Sequence, residues 1–416
     1  MSTSTLPHLV RLALAPLALG AFAGPLHAQG LDCNTLFGTQ ASITESTRTF
    51  CESTAQGLVD RLSVTNFEAE FAGYTSTSAV NTTSTWNGVN VQASFPADSN
   101  VLSLSIPALQ VSETFVGSTR EQSITLLKNW YNQNSDLVSR LLKQQAADSP
   151  NSLITGSNGL LQSMVATDFA TAFSDNESRS GSNAASAGNA APASPLGMGV
   201  VLSHMKVAGV QQTAVGIPIS YTVRNDIDPR RQALLRADLS ALRSGGALGY
   251  QARFSAGYQF PMSDEWKLAA RGTVGFIGSE DAATLATMVG ASIASSYTME
   301  FDGFDLSIGN MLGYYQTLTA KAESVSVNPG IKNTALRNGI ILSQPMTVGG
   351  RKMVAEYSFA DTRFFGTKIY QTNLQEFSFS LGTRRSESAR SSTRITASYV
   401  RGKDAKGFQL YLNHLF

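Results

Sequence analysis

Residues 407–416 read GFQLYLNHLF. Phe408, Leu410, Leu412 and Phe416 fall on one face of an extended chain, and Gln409, Tyr411 and Asn413 on the other. A strand of about ten residues with one apolar and one polar face has the length and pattern of a segment that crosses a bilayer as part of a barrel. The stretch ends on an aromatic residue, where a membrane interface would hold it.

Working back towards Leu196, the same period of two recurs. Tyr250, Ala252, Phe254, Ala256, Tyr258 and Phe260 oppose Gln251, Arg253, Ser255, Gly257 and Gln259, and Trp266, Leu268, Ala270, Val274 and Phe276 oppose Lys267, Ala269, Arg271 and Thr273. Later runs pair Met353, Ala355, Tyr357 and Phe359 with Lys352, Glu356 and Ser358, and Phe377, Phe379 and Leu381 with Glu376, Ser378 and Ser380. Turn signals such as Ser244-Gly245-Gly246, Asp302-Gly303 and Gly349-Gly350 separate the runs, and counting between them gives about twelve strands, an even number as single-chain barrels have. A soluble sandwich would also alternate. Here, however, aromatics recur near strand ends, as in Tyr250 with Phe260 and Trp266 with Phe276, which is what two membrane interfaces demand. The fold class expected is mainly β: an antiparallel up-and-down transmembrane β-barrel over 196–416, preceded by a small α+β region.

The closing strand resembles those of Gram-negative outer-membrane β-barrels, whose signature is a final strand ending on Phe or Trp. Phe408, Leu410, Leu412 and Phe416 are the positions that match. The resemblance implies outer-membrane lipids and the barrel-assembly machinery as partners, and Phe416 at the periplasmic rim. With an even strand count, the first strand starts at that rim too. The upstream region is then expected to be periplasmic, unless the chain is threaded through the barrel.

The N-terminus reads as an export signal. Arg11 precedes the apolar run Leu12–Ala23, Gly24-Pro25 breaks it, and small residues offer cleavage after Ala28 or near Ala23; the run is short for a membrane span. Residues 1–28 are therefore taken as a signal peptide. The two cysteines, Cys33 and Cys51, follow it closely, and in an oxidising compartment such a pair reads as one disulfide. Metal binding would need further ligands, and His204 and His414 are remote, so no metal or other cofactor is expected.

Residues 29–115 read as a small β-rich unit containing that disulfide, with a helix around Ser46–Leu62 and a hairpin turning at Asn87-Gly88. Residues 116–173 read as helical, because Ser118 and Glu121 suit a capping box and apolar residues recur at helical spacing. The last helix places Leu161, Met164, Val165, Phe169 and Phe173 on one face and Gln162, Ser163, Thr167 and Asp168 elsewhere. Amphipathicity does not name its partner, so a separate helical subdomain and a lumen plug both stay open. Residues 174–195, rich in Ser, Ala, Asn and Gly, read as a linker.

Net charge is +1, which argues against nucleic-acid binding through bulk charge. Ser203-His204-Met205-Lys206 and Ser174-Asp175-Asn176 imitate serine β-lactamase strings, but in the wrong order and without the later K-T-G. A Ser–His lipase is also not assembled, since no orienting partner for His204 or His414 can be named. No enzyme activity is expected. The informative positions are charged residues on the lumen face: Arg236, Arg253, Lys267, Arg271, Arg337, Arg384 and Arg394, with Asp238, Glu356 and Glu376 as acids. An excess of bases would favour anions, whereas cross-strand pairing would cancel it. The function expected first is a porin-like channel for small polar, anionic solutes, gated by the N-terminal helices. The alternative resembles the translocator half of an autotransporter or an export pore, with Leu161–Phe173 as the lumen helix. A structural or adhesive surface protein is the third reading.

Overall fold

The computed structural model describes residues 31, 33–43, 45–172, 196–225, 227–228, 230–322, 325–383 and 392–416. The signal peptide 1–28, Phe173, the linker 174–195 with its Ser174-Asp175-Asn176 string, and Arg384 lie outside the described residues.

The first element is a six-stranded antiparallel sheet in the order β2-β1-β3-β4-β5-β6. Its strands are β1 (Phe37–Ile43), β2 (Ser46–Glu52), β3 (Val80–Trp86), β4 (Val89–Phe95), β5 (Val101–Ile106) and β6 (Val111–Val116). Asn87 and Gly88 join β3 to β4 with φ of 44° and 87°, the positive pair a type I′ turn requires. The helix expected over Ser46–Leu62 is corrected: Ser46–Glu52 is β2, and only α1 (Ala55–Asp60) is helical, followed by α2 (Val64–Glu70). Thr47, Thr49 and Phe50 favour a strand, and the Cys33–Cys51 disulfide holds the segment where Cys51 sits opposite Gly38 of β1.

Helices α3 (Arg120–Gln133) and α4 (Ser135–Asp148) pack onto this sheet. Ile124, Leu137 and Leu141 share one core with Val80, Val91, Leu104 and Phe115. Thr119 caps α3 by accepting from Gln122 N, and Asn134 caps α4 by accepting from Leu137 N, each satisfying a donor the first turn leaves free. Arg120 is fully buried because its guanidinium donates to the carbonyls of Ser99 and Pro96 at 3.0 and 3.2 Å, and to the Tyr74 hydroxyl at 3.2 Å.

Twelve strands close the barrel. They are β7 (Leu196–Val207), β8 (Val210–Arg224), β9 (Gln232–Ser244), β10 (Ala247–Pro261), β11 (Trp266–Ser279), β12 (Thr284–Phe301) and β13 (Phe304–Leu318). After a short hairpin, β14 (Ala320–Ala322) and β15 (Val325–Val327), come β16 (Lys332–Val348), β17 (Arg351–Gly366), β18 (Asn373–Thr383), β19 (Ser392–Gly402) and β20 (Ala405–Leu415). Each pairs antiparallel with its neighbour, and β20 closes on β7 with Leu410 opposite Leu202. Closure leaves no sheet edge. Among the described residues no helix is long and apolar enough to cross a membrane; the crossing elements are strands.

The alternation sorts the wall. Phe254, Ile293, Leu312, Ile340, Phe377 and Leu410 are 44–62% exposed on the outer face, an apolar belt that only lipid would cover. Tyr221, Phe260, Trp266, Phe301 and Phe304 mark one edge of the belt, and Tyr250, Phe276, Tyr314 and Phe365 the other. Both β7 and β20 have their outer ends at the first rim, which carries Phe416. The far rim carries the turns at 208–209, 245–246, 280–283, 367–372 and 403–404 and the segments 319–322 and 325–331.

The N-terminal unit sits on the far rim. Ala55 N donates to Asp281 O at 2.7 Å, and Tyr370 N to Ala146 O at 2.8 Å. Asn328 N meets Ser139 Oγ at 3.0 Å, and Lys368 Nζ meets Asp148 at 3.0 Å. The sequence reading placed this unit on the side of Phe416 unless the chain were threaded through the barrel; the structure places it on the opposite rim, with the last helix before the barrel entering the lumen from there.

Candidate functional site: the plugged lumen

The thread is α5 (Leu160–Ala172). It is reached through residues 149–159, a buried plug of turns in the far mouth. Gly156 makes that path possible: a Cβ there would lie 2.6 Å from Ser152 O and 2.7 Å from Pro150 O. The plug is tied to the wall by polar contacts. Gln212 Nε2 donates to Asn151 Oδ1 at 3.0 Å, Ser203 Oγ to Asn158 Oδ1 at 3.2 Å, and Gln251 Nε2 to Asn158 O at 3.1 Å.

Inside the barrel, Leu160, Leu161, Met164 and Val165 are wholly buried and Phe169 nearly so. Their partners are lumen-facing residues of β11, β12, β13 and β16, including Ile277, Met288, Met311 and Ala335, in a core continuous with Leu36 and Phe37 at the base of the N-terminal unit. At roughly 1.5–3 kcal/mol for each of five buried side chains, this apolar contact stabilises the docked helix by on the order of 10 kcal/mol. Glycines in the wall make room. A Cβ at Gly275 would lie 2.8 Å from Leu160 Cδ1 and 2.9 Å from Met164 Sδ, and one at Gly339 would lie 2.9 Å from Phe169 Cζ.

One polar residue of α5 points into this wall. Asp168, 3% exposed, accepts from Thr273 Oγ1 at 2.6 Å, Tyr315 OH at 2.7 Å and Ser292 Oγ at 3.3 Å. The three donors stand on the adjacent strands β11, β13 and β12. Arg271 lines the same small gap as Asp168 and Ser292, supplying the opposite charge that a buried carboxylate needs. Tyr315 reaches Asp168 because its ring lies on Gly290 and Gly313, where a Cβ would be 2.3 and 2.7 Å from ring carbons. The sequence reading put Asp168 on the helix's polar side and did not single out Tyr315, Thr273 or Ser292. The signal that was available is the run of glycines at lumen-facing positions of neighbouring strands.

The opposite face of α5, with Gln162, Ser163 and Thr167, borders a cavity of about 130 Å³ lined across the lumen by Arg236, Asp238, Arg253, Arg337, Glu376 and Tyr411. That is room for several waters. The charged residues are engaged with one another. Arg236 is bidentate on Asp238, with a closest contact of 2.8 Å, and Arg253 lies 3.7 Å from the same carboxylate. Arg337 pairs with Glu376 at 2.7 Å, donates to Thr362 Oγ1 at 2.9 Å and stacks 5.0 Å from the Phe169 ring centroid. Arg394 pairs with Glu356, Arg271 donates to Ser255 Oγ at 2.8 Å, and Lys267 is 4% exposed. Arg236, Arg253, Arg337 and Arg394 are thus each set against a carboxylate of the lumen.

Of the other candidates, Ser203 faces the lumen while His204 and Lys206 face outward, since odd and even positions of a strand point to opposite faces. Neither the Ser203-x-x-Lys206 string nor a Ser203–His204 pair comes together. His414 Nδ1 is 2.8 Å from Thr393 Oγ1. Phe408, Leu410, Leu412 and Phe416 lie on the lipid side, 44–64% exposed. Among the described residues no group of three or more His, Cys, Asp or Glu side chains is placed to hold a metal ion.

A closed antiparallel barrel of twelve strands, apolar outside and plugged by a helix, is now in view. By fold the chain is an outer-membrane-type β-barrel. The β domain of the Bordetella autotransporter BrkA is similar at 11% identity and TM-score 0.41, over 54% of this chain and 99% of that one. The translocator domain of autotransporter NalP from Neisseria meningitidis is similar at 12% identity and TM-score 0.41, over 60% and 98%. An outer membrane channel from Pseudomonas putida F1 is similar at 10% identity and TM-score 0.38, over 54% and 96%. No protein-family model and no curated protein matches the sequence.

Proposed function

We propose that the protein is an outer-membrane barrel, sealed by its own helix, that holds the N-terminal unit on the cell's outer face in the manner of an autotransporter. The observation that carries this reading is the threading. The N-terminal unit is docked on the rim opposite Phe416, and α5 runs from it into the lumen. With the Phe416 rim taken as periplasmic, as the closing strand's resemblance implies, the unit of residues 31–159 faces outward. Its disulfide suits a compartment without cytosolic reductants. Protease added to intact cells should cut within residues 31–148 and leave the barrel with its buried plug. Protection of that unit in intact cells, with cleavage only after the periplasm is opened, would reject the outward placement.

The second reading, a gated channel, is favoured by the polar cavity along α5, which marks where a path would open if the helix left. Under it, planar bilayers should show no conductance steps with the full chain and discrete steps after deletion of residues 29–173. Silence from both proteins would reject it.

A further inference from the structure

On the outer face at the far rim, three bases stand side by side on three successive strands. Arg401 of β19 is the register partner of Lys406 of β20, and Lys406 is the register partner of Lys206 of β7. All three are exposed. Adjacent strands are about 4.8 Å apart, so the row spans about 10 Å. Like charges directly opposite one another destabilise a strand pair, and here two such pairs are consecutive. Among the described residues none of the three has a carboxylate within salt-bridge reach. Asp361, two strands from Arg401 in the same row, pairs with Arg363 at 3.0 Å, and Asp404 accepts from the Tyr370 hydroxyl.

The row immediately towards the membrane is Tyr399, Phe408 and His204, and the next is Ala397, Leu410 and Leu202. The cations therefore sit one residue pair above the apolar belt, at the level of lipid headgroups. We propose that Arg401, Lys406 and Lys206 form a binding site for a lipid headgroup carrying more than one phosphate, with its acyl chains lying along Tyr399, Phe408, Leu410 and Leu202. Phosphate oxygens supply the negative charge the row lacks, and Arg is suited to hold one bidentately. A free anion would have no use for the aromatic and aliphatic residues directly beneath. The site requires only that the barrel spans a bilayer, and it stands or falls separately from the outward placement of the N-terminal unit.

The test is lipid retention by the full chain in detergent micelles, read by native mass spectrometry, with diphosphoryl lipid A as probe and phosphatidylcholine as the neutral comparator. Each base near an anionic headgroup contributes about fivefold. Arg401→Gln, Lys406→Gln or Lys206→Gln alone should weaken retention by about that factor, and the triple variant by about 100-fold. Arg351→Gln/Lys352→Gln at the opposite rim should leave retention unchanged, and strand content by circular dichroism should be preserved in all. Equal retention by wild type and triple variant would overturn the site, as would equal binding of phosphatidylcholine, an equal loss in the opposite-rim variant, or displacement of the lipid by low millimolar inorganic phosphate.

Discussion

Replacing Asp168 with Ala tests what holds the helix in the lumen. The substitution removes the acceptor used by Thr273, Tyr315 and Ser292 and leaves Arg271 without its counter-charge across the same gap. Three buried hydroxyls lose a partner, each at about 1–3 kcal/mol and not additively, so the loss is on the order of 3–5 kcal/mol. Taking about 3–5 kcal/mol against the roughly 10 kcal/mol of apolar burial, the helix stays docked on average but undocks far more often. The population of undocked chains should rise by on the order of 100- to several-thousand-fold. A cysteine at position 165 reports it, because Val165 is wholly buried against the wall and the native cysteines are joined to each other. With Val165→Cys as the common background, labelling by a bulky maleimide should accelerate by that factor in Asp168→Ala. Asp168→Asn, which keeps one acceptor, should fall between. An acceleration of less than tenfold would show that Asp168 does not hold the helix and that apolar packing alone accounts for the plug.

Other perturbations address neighbouring parts of the argument. Gly290→Ala puts a methyl 2.3 Å from a Tyr315 ring carbon, so it should lift the ring from Asp168 and speed the same labelling. Combined with Asp168→Ala it should add little, since Asp168→Ala already removes the Tyr315 contact, whereas Gly272→Ala, which meets nothing within 4 Å, should be silent. Cys33→Ser should lower the urea midpoint of the N-terminal unit without changing the barrel's strand signal; closing a loop of this size stabilises by about 3 kcal/mol, and an unchanged midpoint would contradict this. In the loop between β8 and β9, the Arg230 guanidinium holds the Asp228 carboxyl below the usual carboxylate range. Their contact should therefore persist through the pH at which ordinary carboxylates protonate, and be lost only as pH falls through the lowered value. Amide exchange at Asp228, Arg230 and Arg231 between pH 5 and 2 reads this.

The barrel was legible because its signal repeats. A period of two, carried by pairs such as Phe254 against Arg253 and Phe276 against Thr273, survives anything that happens elsewhere in the chain, and turns such as Gly245-Gly246, Asp302-Gly303 and Gly349-Gly350 are marked locally by Gly. The helix's destination was not legible. Asp168 looks like any solvent-facing residue of an amphipathic helix, and its three donors lie 105, 124 and 147 residues away. The charge balance of the lumen was hidden for a similar reason. Arg337 on β16 finds Glu376 across β17, its own register partner being Thr362, so adding the charges on each face overstates the field that a solute would meet. The β2 segment failed differently: a local helix pattern yielded to strand-prone residues and a covalent tie to β1.

Where the lumen contacts come from also separates two events that a plugged barrel could otherwise couple. Every donor to Asp168 belongs to the consecutive strands β11, β12 and β13, within residues 273–315, and the glycines that receive Leu160, Met164 and Phe169 lie on β11 and β16. The seam that closes the barrel, β20 on β7, is made by residues nearly the whole barrel apart in sequence, and its ladder joins 197–207 to 405–415. None of the Asp168 donors is part of that seam. Undocking the helix therefore leaves the closing ladder intact, and the barrel needs no plug to stay closed. An Asp168→Ala protein that loses its barrel strand signal together with its plug would refute this separation, and one that opens its lumen while keeping that signal would carry it.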